Sequence, residues 1–308
     1  MSIVLPFSRD FDCQYGVSDT VRPGLRRIVA NNPSPFTFKG TNSYIVGTGS
    51  VAVIDPGPDD EAHRAALLTE LGRGGERVSH ILLTHTHKDH SAGMAKFAQI
   101  TSAEILGFGS ERVSRRAVQH DPASESFLDA DFTPDRALNG GERITGGDWE
   151  LEALYTPGHA PDHLCFALND GETLLSGDHV MGWNTSVVAP PEGHMGDYIS
   201  SLETLLKRPE SVYFPGHGGR VDQAQRLVKA FIMHRRWREA QIVDCLRDGL
   251  DTIDLIVPKI YENLAASLRA AAAYSVLAHL ELLAERGRVT AEPQPGLHSR
   301  YSISGAPG

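Results

Sequence analysis

From Leu25 to about Arg220, short apolar runs alternate with amphipathic stretches, and glycines and prolines punctuate the joints. This grammar predicts an α/β domain. Strands are expected at 42–47, 51–55, 78–83, 103–106, 149–155, 163–168, 172–176 and 211–214, where apolar and β-branched residues cluster. Two neighbouring pairs, YIVGTGSVAVID and LCFALNDGETLLS, are joined by Gly-Thr-Gly-Ser and Asn-Asp-Gly, which supply hairpin chemistry. Hairpins mixed with helices imply a mixed sheet. Helices are expected over 60–71, opened by the acidic pair Asp59 and Asp60, and over roughly 92–100 and 197–207.

After Gly219 the pattern becomes almost wholly helical. In 222–247, Val228, Ile232, Ile242 and Leu246 fall on one face; a second helix is expected after Thr252, and a long one from about Leu264 to Arg286. GRVTAE and HSRYSIS flank PQPG, the outline of a β-hairpin. Three helices closed by a hairpin describe a winged helix, so two units are expected, 1–221 and 222–308.

A chain of 308 residues can bury a large core. Its three cysteines, Cys13, Cys165 and Cys245, are too few and too scattered for a disulfide framework. The N-terminal stretch meets acidic residues before any apolar run of signal-peptide length, and no segment approaches a membrane span. A cytoplasmic protein without membrane partners is therefore expected. The formal net charge of −10 is unevenly spread: Asp222–Gly308 holds 11 Lys+Arg against 10 Asp+Glu, leaving 18 against 29 for the rest. Neither part is a basic platform for a phosphate polymer, so nucleic acid is disfavoured as a partner. The helical unit is expected instead to pack on the first domain, shape its pocket or pair subunits as a homodimer.

The stretch LLTHTHKDHSAG places His85, His87, Asp89 and His90 within six residues, just beyond a strand. Two histidines two apart on extended backbone point the same way. They can share one metal while Asp89 and His90 reach a second. Imidazole nitrogen and carboxylate oxygen are the ligand set of zinc, with iron and manganese as alternatives. Such a cluster needs distant partners, and three strand ends offer them: His159 in TPGHAPDH, Asp178 in LLSGDHV and His217 in FPGHGG. Five histidines and two aspartates suffice for two divalent metal ions.

The ordered set His85-x-His87-x-Asp89-His90, then His159, Asp178 and His217, resembles the metallo-β-lactamase fold superfamily of binuclear hydrolases over roughly Leu25–Arg220. The resemblance implies a four-layer αβ/βα sandwich with the metals at its edge. It also implies that His85, His87 and His159 hold the first metal, that Asp89, His90 and His217 hold the second, and that Asp178 bridges them. PFTFKGTNSYIVG, VVAPPEGHMGDYISSL and HRRWREAQI followed by AHLELLAERGRV resemble the β-lactamase-like protein 2 branch, whose members carry a C-terminal winged helix.

A water bridging two cations becomes a hydroxide nucleophile near neutral pH, and Asp89 is the candidate catalytic group that orients it or takes its proton. A small-molecule ester, thioester or lactone is the expected substrate. The same branch implies the alternative of an endoribonuclease acting on single-stranded RNA. Asp55 and Asp162 are candidates for fixing imidazole tautomers, and His163 and His179, beside ligand positions, either pack behind the ligands or touch substrate. Lys88 is expected in solvent. The long loop 180–196, with Trp183, His194 and, just beyond it, Tyr198, is either a substrate-binding wall or a segment that these side chains anchor to the core.

Overall fold

The computed structural model describes residues 5–109, 128–129, 132–262 and 264–305. A first sheet contains, in spatial order, β1 (Asp19–Arg22), β2 (Leu25–Val29), β3 (Asn42–Val46), β4 (Ser50–Ile54), β5 (Arg77–Leu82), β6 (Glu104–Phe108) and β7 (Arg136–Leu138). It is antiparallel from β1 to β4 and parallel from β4 to β7. A second sheet comprises β8 (Arg143–Thr145), β9 (Glu150–Tyr155), β10 (Leu164–Leu168), β11 (Thr173–Gly177) and β12 (Val212–Pro215). Only its β11–β12 pair is parallel.

Strand side chains alternate between two cores, as the pleat requires. Tyr44, Val46, Ala52, Ile54 and Leu82 of the first sheet meet Leu151, Ala153, Leu164, Phe166 and Leu175 of the second. The opposite set, Ile45, Val51, Val53 and Ile81, packs against Leu67 and Leu71 of α1 (Glu61–Gly74) and Phe97 of α3 (Met94–Thr101). The short α2 (Lys88–Ser91) lies between these helices in sequence. On the far side, Cys165, Ala167, Leu174 and Tyr213 are covered by α4 (Met195–Leu205) and the first half of α5 (Ala224–Arg247). The order of layers is thus αβ/βα. Burying each such aliphatic side chain contributes roughly 1.5–3 kcal/mol.

The C-terminal unit is a winged helix. α6 (Ile253–Ile260), α7 (Arg269–Glu285) and the antiparallel pair β13 (Val289–Glu292) and β14 (Arg300–Ile303) enclose a separate core with Ile242, Val243 and Leu246 from the second half of α5. α5 therefore serves two cores. α7 also touches the first domain, through Ala278 and Leu282.

All eight expected strands are present. Four others carry too little pattern to read: β7 and β8 have three residues each, β1 is a polar edge strand, and β2 (LRRIV) is interrupted by arginines. Arg26 and Arg27 in β2 are held by Glu70, Glu76 and Asp19. The long helix begins at Arg269 rather than Leu264, because Ala266–Leu268 form a 3-10 turn. The three cysteines are unpaired, and no described helix is long and apolar enough to cross a membrane.

Glu281, half-buried on α7, has its carboxyl pushed up from 4.5 to about 7, by burial first and then by Glu285, against the pull of His194. An acid whose folded-state value exceeds its unfolded one favours the fold while protonated, and that contribution is lost as pH rises from 4.5 through about 7. Glu281→Gln is expected to raise Tm at pH 8 by about 2–4 °C, for roughly 1 kcal/mol, and to leave it nearly unchanged at pH 5. Calorimetric melts at the two pH values measure this.

Candidate metal centre

The strand directions gather the functional loops. β4 and β5 run parallel, as do β11 and β12, and two antiparallel steps give β9 the direction of β11. Their C-terminal ends therefore share one edge, and from it emerge Asp55, His85–His90, His159, Asp178 and His217. The start of β3 reaches the same edge. There Asn42 closes the two sheets together: its N–H donates to the Gly216 carbonyl (2.7 Å), and its amide donates to Pro215 and Gly218 carbonyls (both 2.9 Å).

Two triads result. His87 Nδ1 lies 2.9 Å from His85 Nε2 and 3.0 Å from His159 Nε2. In the second triad Asp89 Oδ2, His90 Nε2 and His217 Nε2 stand 3.2–3.4 Å from one another. Asp178 faces both, with Oδ2 3.2 Å from His217 Nε2 and 3.6 Å from His159 Nε2, and Oδ1 3.6 Å from His90 Nε2. A tetrahedron with metal–ligand bonds of ~2.0–2.1 Å has edges of about 3.3–3.4 Å. The second triad has that spacing, the first is tighter by a few tenths of an ångström, and each could hold a metal ion.

Outward hydrogen bonds decide what the imidazoles present inward. Carbonyls and ionised carboxylates can only accept, so the ring nitrogen facing them carries the proton. His90 Nδ1 donates to Asp55 (2.9 Å), His159 Nδ1 to the Val187 carbonyl (2.6 Å) and His217 Nδ1 to the Gly40 carbonyl (3.1 Å). His87 Nε2 faces Glu192 at 3.4 Å. Thr84 Oγ1 gives its proton to Asp55 (2.7 Å) and so accepts from His85 Nδ1 (3.0 Å). In each neutral ring the inner nitrogen is then a lone pair. Lone pairs 2.9–3.0 Å apart repel, and a cation among them removes the conflict. The residues present therefore fit a metal pair. Asp178 Oδ1 fits it too: it is buried and has no hydrogen-bond partner among the described residues.

The electrostatics separate the two triads. Burial and neighbouring imidazoles push His85 well below its ordinary range, and burial with His87 lowers His159 to about 4. Burial also opposes charge on His90 and His217, but Asp89 and Asp178 overcome it; His90 is raised well above its ordinary range and His217 to about 9. Both aspartates resist the upward push of burial and lie below the usual carboxylate range, because His90 and His217 stabilise their charge. Without a cation these groups balance one another with protons, which a bound metal must displace.

Asp55 adopts a left-handed backbone (φ 51°), which lets one carboxylate take Thr84 N–H, Thr84 O–H and His90 Nδ1–H. Asp162 instead accepts the Thr86 N–H (2.9 Å), holding the motif's backbone rather than a ring. His163 accepts the Asp178 N–H at 3.1 Å, while His179 is fully buried. Lys88 is exposed. Trp183 stacks on Phe38 at 4.9 Å, Tyr198 is fully buried with its hydroxyl on the His179 carbonyl, and His194 caps α4 and reaches Glu285. The contacts of all three anchor the loop. Sequence reasoning missed Glu192, Thr84, Thr41 and the Gly40 and Val187 carbonyls; carbonyls carry no residue-type signal.

Gly216 adjoins His217 where space is exhausted: a Cβ there would fall on Asp178 Oδ1 and 2.7 Å from His90 Cε1. Gly216→Ala is expected to lower metal affinity at least tenfold, the scale of losing a group that orients a ligand, while far-UV circular dichroism stays native. Zinc titration against a chromophoric chelator checks it.

The sequence profile of the metallo-beta-lactamase superfamily matches residues 36–217, and that of the beta-lactamase associated winged helix domain matches 252–296. A beta-lactamase-like protein 2 homolog of Drosophila melanogaster is 32% identical over 85% of this chain and 88% of its own. A thioesterase of Emericella nidulans, pkgB, is 31% identical over 73% of this chain and 60% of its own. The crystal structure of a metallo-beta-lactamase family protein from Thermus thermophilus superposes with a TM-score of 0.74 at 25% identity, over 92% of this chain and 99% of that one. With the ordered His/Asp set on an αβ/βα sandwich and a winged helix behind it, the chain belongs to the metallo-β-lactamase superfamily of hydrolases, in its β-lactamase-like protein 2 branch.

Proposed function

We propose that the protein is a binuclear metal-dependent hydrolase of small-molecule thioesters or related esters and lactones. One observation carries the reading: two triads of metal-spaced donors share Asp178 between them. His85, His87 and His159 would hold the first ion, Asp89, His90 and His217 the second, and Asp178 would serve both. Five imidazoles and two carboxylates suit zinc. Bound divalent cations supply Lewis acidity at the scissile carbonyl and a nucleophile available at neutral pH.

The chain's own groups do the rest. Asp89 and His87 keep side-chain exposures of 30% and 14%, the largest of the seven, so substrate approaches from their side beside Glu192. Thr41 Oγ1 donates to Asp89 Oδ2 (3.2 Å) and fixes its carboxylate, which is ionised and positioned to accept a proton. The other ligands are buried, which strengthens their electrostatic interactions. The thioesterase relative supports an acyl substrate. Eight residues of α7, Ala272, 276–280 and 282–283, are buried, five of them in succession, which supports a packing role for this helix over entry into a nucleic-acid groove.

Metal content should be measured alongside parallel assays on a thioester, a lactone, a phosphodiester and a short single-stranded RNA. Two ions per chain and turnover of the acyl substrates are expected. Cleavage of RNA alone overturns the substrate class, and activity in a metal-free protein overturns the mechanism. Asp89→Asn and His87→Ala are each expected to reduce turnover at least 100-fold, on the scale of lost general acid–base and electrostatic terms, with unchanged circular dichroism.

A further inference from the structure

Arg235 stands on α5, outside the seven-residue centre, and is 3% exposed. Among the described residues no carboxylate forms an ion pair with its guanidinium, an arrangement that costs stability. What it does contact is specific. Its Nη2 donates to the Ser186 carbonyl at 2.6 Å, and the guanidinium lies over the Tyr198 ring, 5.2 Å from its centroid. Ser186 Oγ and the Tyr198 hydroxyl both donate to the His179 carbonyl, at 2.8 and 3.0 Å, directly after Asp178. The next carbonyl along, Val187, accepts the His159 Nδ1 proton.

We propose that Arg235 is a positioning residue for the first metal triad. By clamping the Ser186 carbonyl, it fixes the peptide segment whose following carbonyl aims His159 Nε2 at His87 Nδ1. The inference rests on the binuclear reading above. It adds that a side chain of the helix shared with the C-terminal unit sets the affinity of the first site far more than that of the second, which it reaches only through the segment after Asp178. The second triad takes its orientation from Asp55 and Gly40, which Arg235 does not contact. Arg238, one turn along α5, is a matched control. It is 7% exposed and engages Gln241 (2.8 Å) and the Tyr261 ring (4.2 Å), away from the loop.

The test is stepwise zinc binding to the full chain by chelator competition, with cobalt absorption identifying which triad is filled. Wild type is expected to bind two ions. Arg235→Met is expected to weaken the first-triad ion by about 10–100-fold and the second by much less, while Arg238→Met retains both. Equal weakening of both ions, or equal losses in the two variants, reduces Arg235 to a general structural role and overturns the proposal. So does wild-type affinity in Arg235→Met. Should that variant fail to fold, Arg235→Lys decides: its compact ammonium, without the planar fork of the guanidinium, is expected to weaken the first ion several-fold, and unchanged affinity overturns the proposal. If wild type binds no metal, the binuclear reading fails first, a result distinguishable from the others.

Discussion

The centre depends on proton placement at the back of five imidazole rings. Each ring meets an acceptor on its outer nitrogen, and the five acceptors come from separate places: Asp55 after β4, Thr84 after β5, Gly40 before β3, Val187 and Glu192 in the long loop. Two are backbone carbonyls whose positions depend on how the segments pack. The two sheets must therefore close with the correct register before the inner nitrogens can converge. Asn42, with three contacts to the Pro215–Gly218 segment, performs that closure at the edge where it matters.

The cost of this arrangement is local. Two carboxylates and five imidazoles are brought together, most of them buried from solvent, and Asp55 is held in a backbone region that non-glycine residues seldom occupy. The hydrophobic layers on both sides provide the excess stability that tolerates it. The electrostatic asymmetry follows from the same geometry: His85 and His159 shed protons on burial, whereas His90 and His217, facing the carboxylates, retain them until a cation replaces them.

What could be read from the amino-acid order was the chemistry of side chains and the period of long elements. The ligand-type residues stood out because His and Asp after apolar strands are conspicuous; β3, β4 and β10 were legible as apolar runs bounded by turns, and β9 as an alternation of glutamate and apolar residues. Three-residue β7 and β8 have no period, and charged β2 is rescued by Asp19 in β1, Glu70 in α1 and Glu76 just beyond that helix, none of which its own pattern announces. Trp183 and Tyr198 were ambiguous for a different reason. An aromatic side chain near a site signals either contact with substrate or burial, and only the packing against Phe38 and the His179 carbonyl distinguishes them.

α5 has a further consequence for how this molecule can vary. A helix of 24 residues extends about 36 Å; here Leu227, Val228 and Phe231 belong to one core and Ile242, Val243 and Leu246 to another. The two units are therefore not beads on a string. A recombination event that cut within 224–247 would strip half a hydrophobic face from each side. One that cut in the turn 248–252, just before the matched winged-helix segment, would leave the catalytic half its covering helix. A C-terminal unit exchanged at that turn would have to pack on the Ile242, Val243 and Leu246 face that α5 already presents.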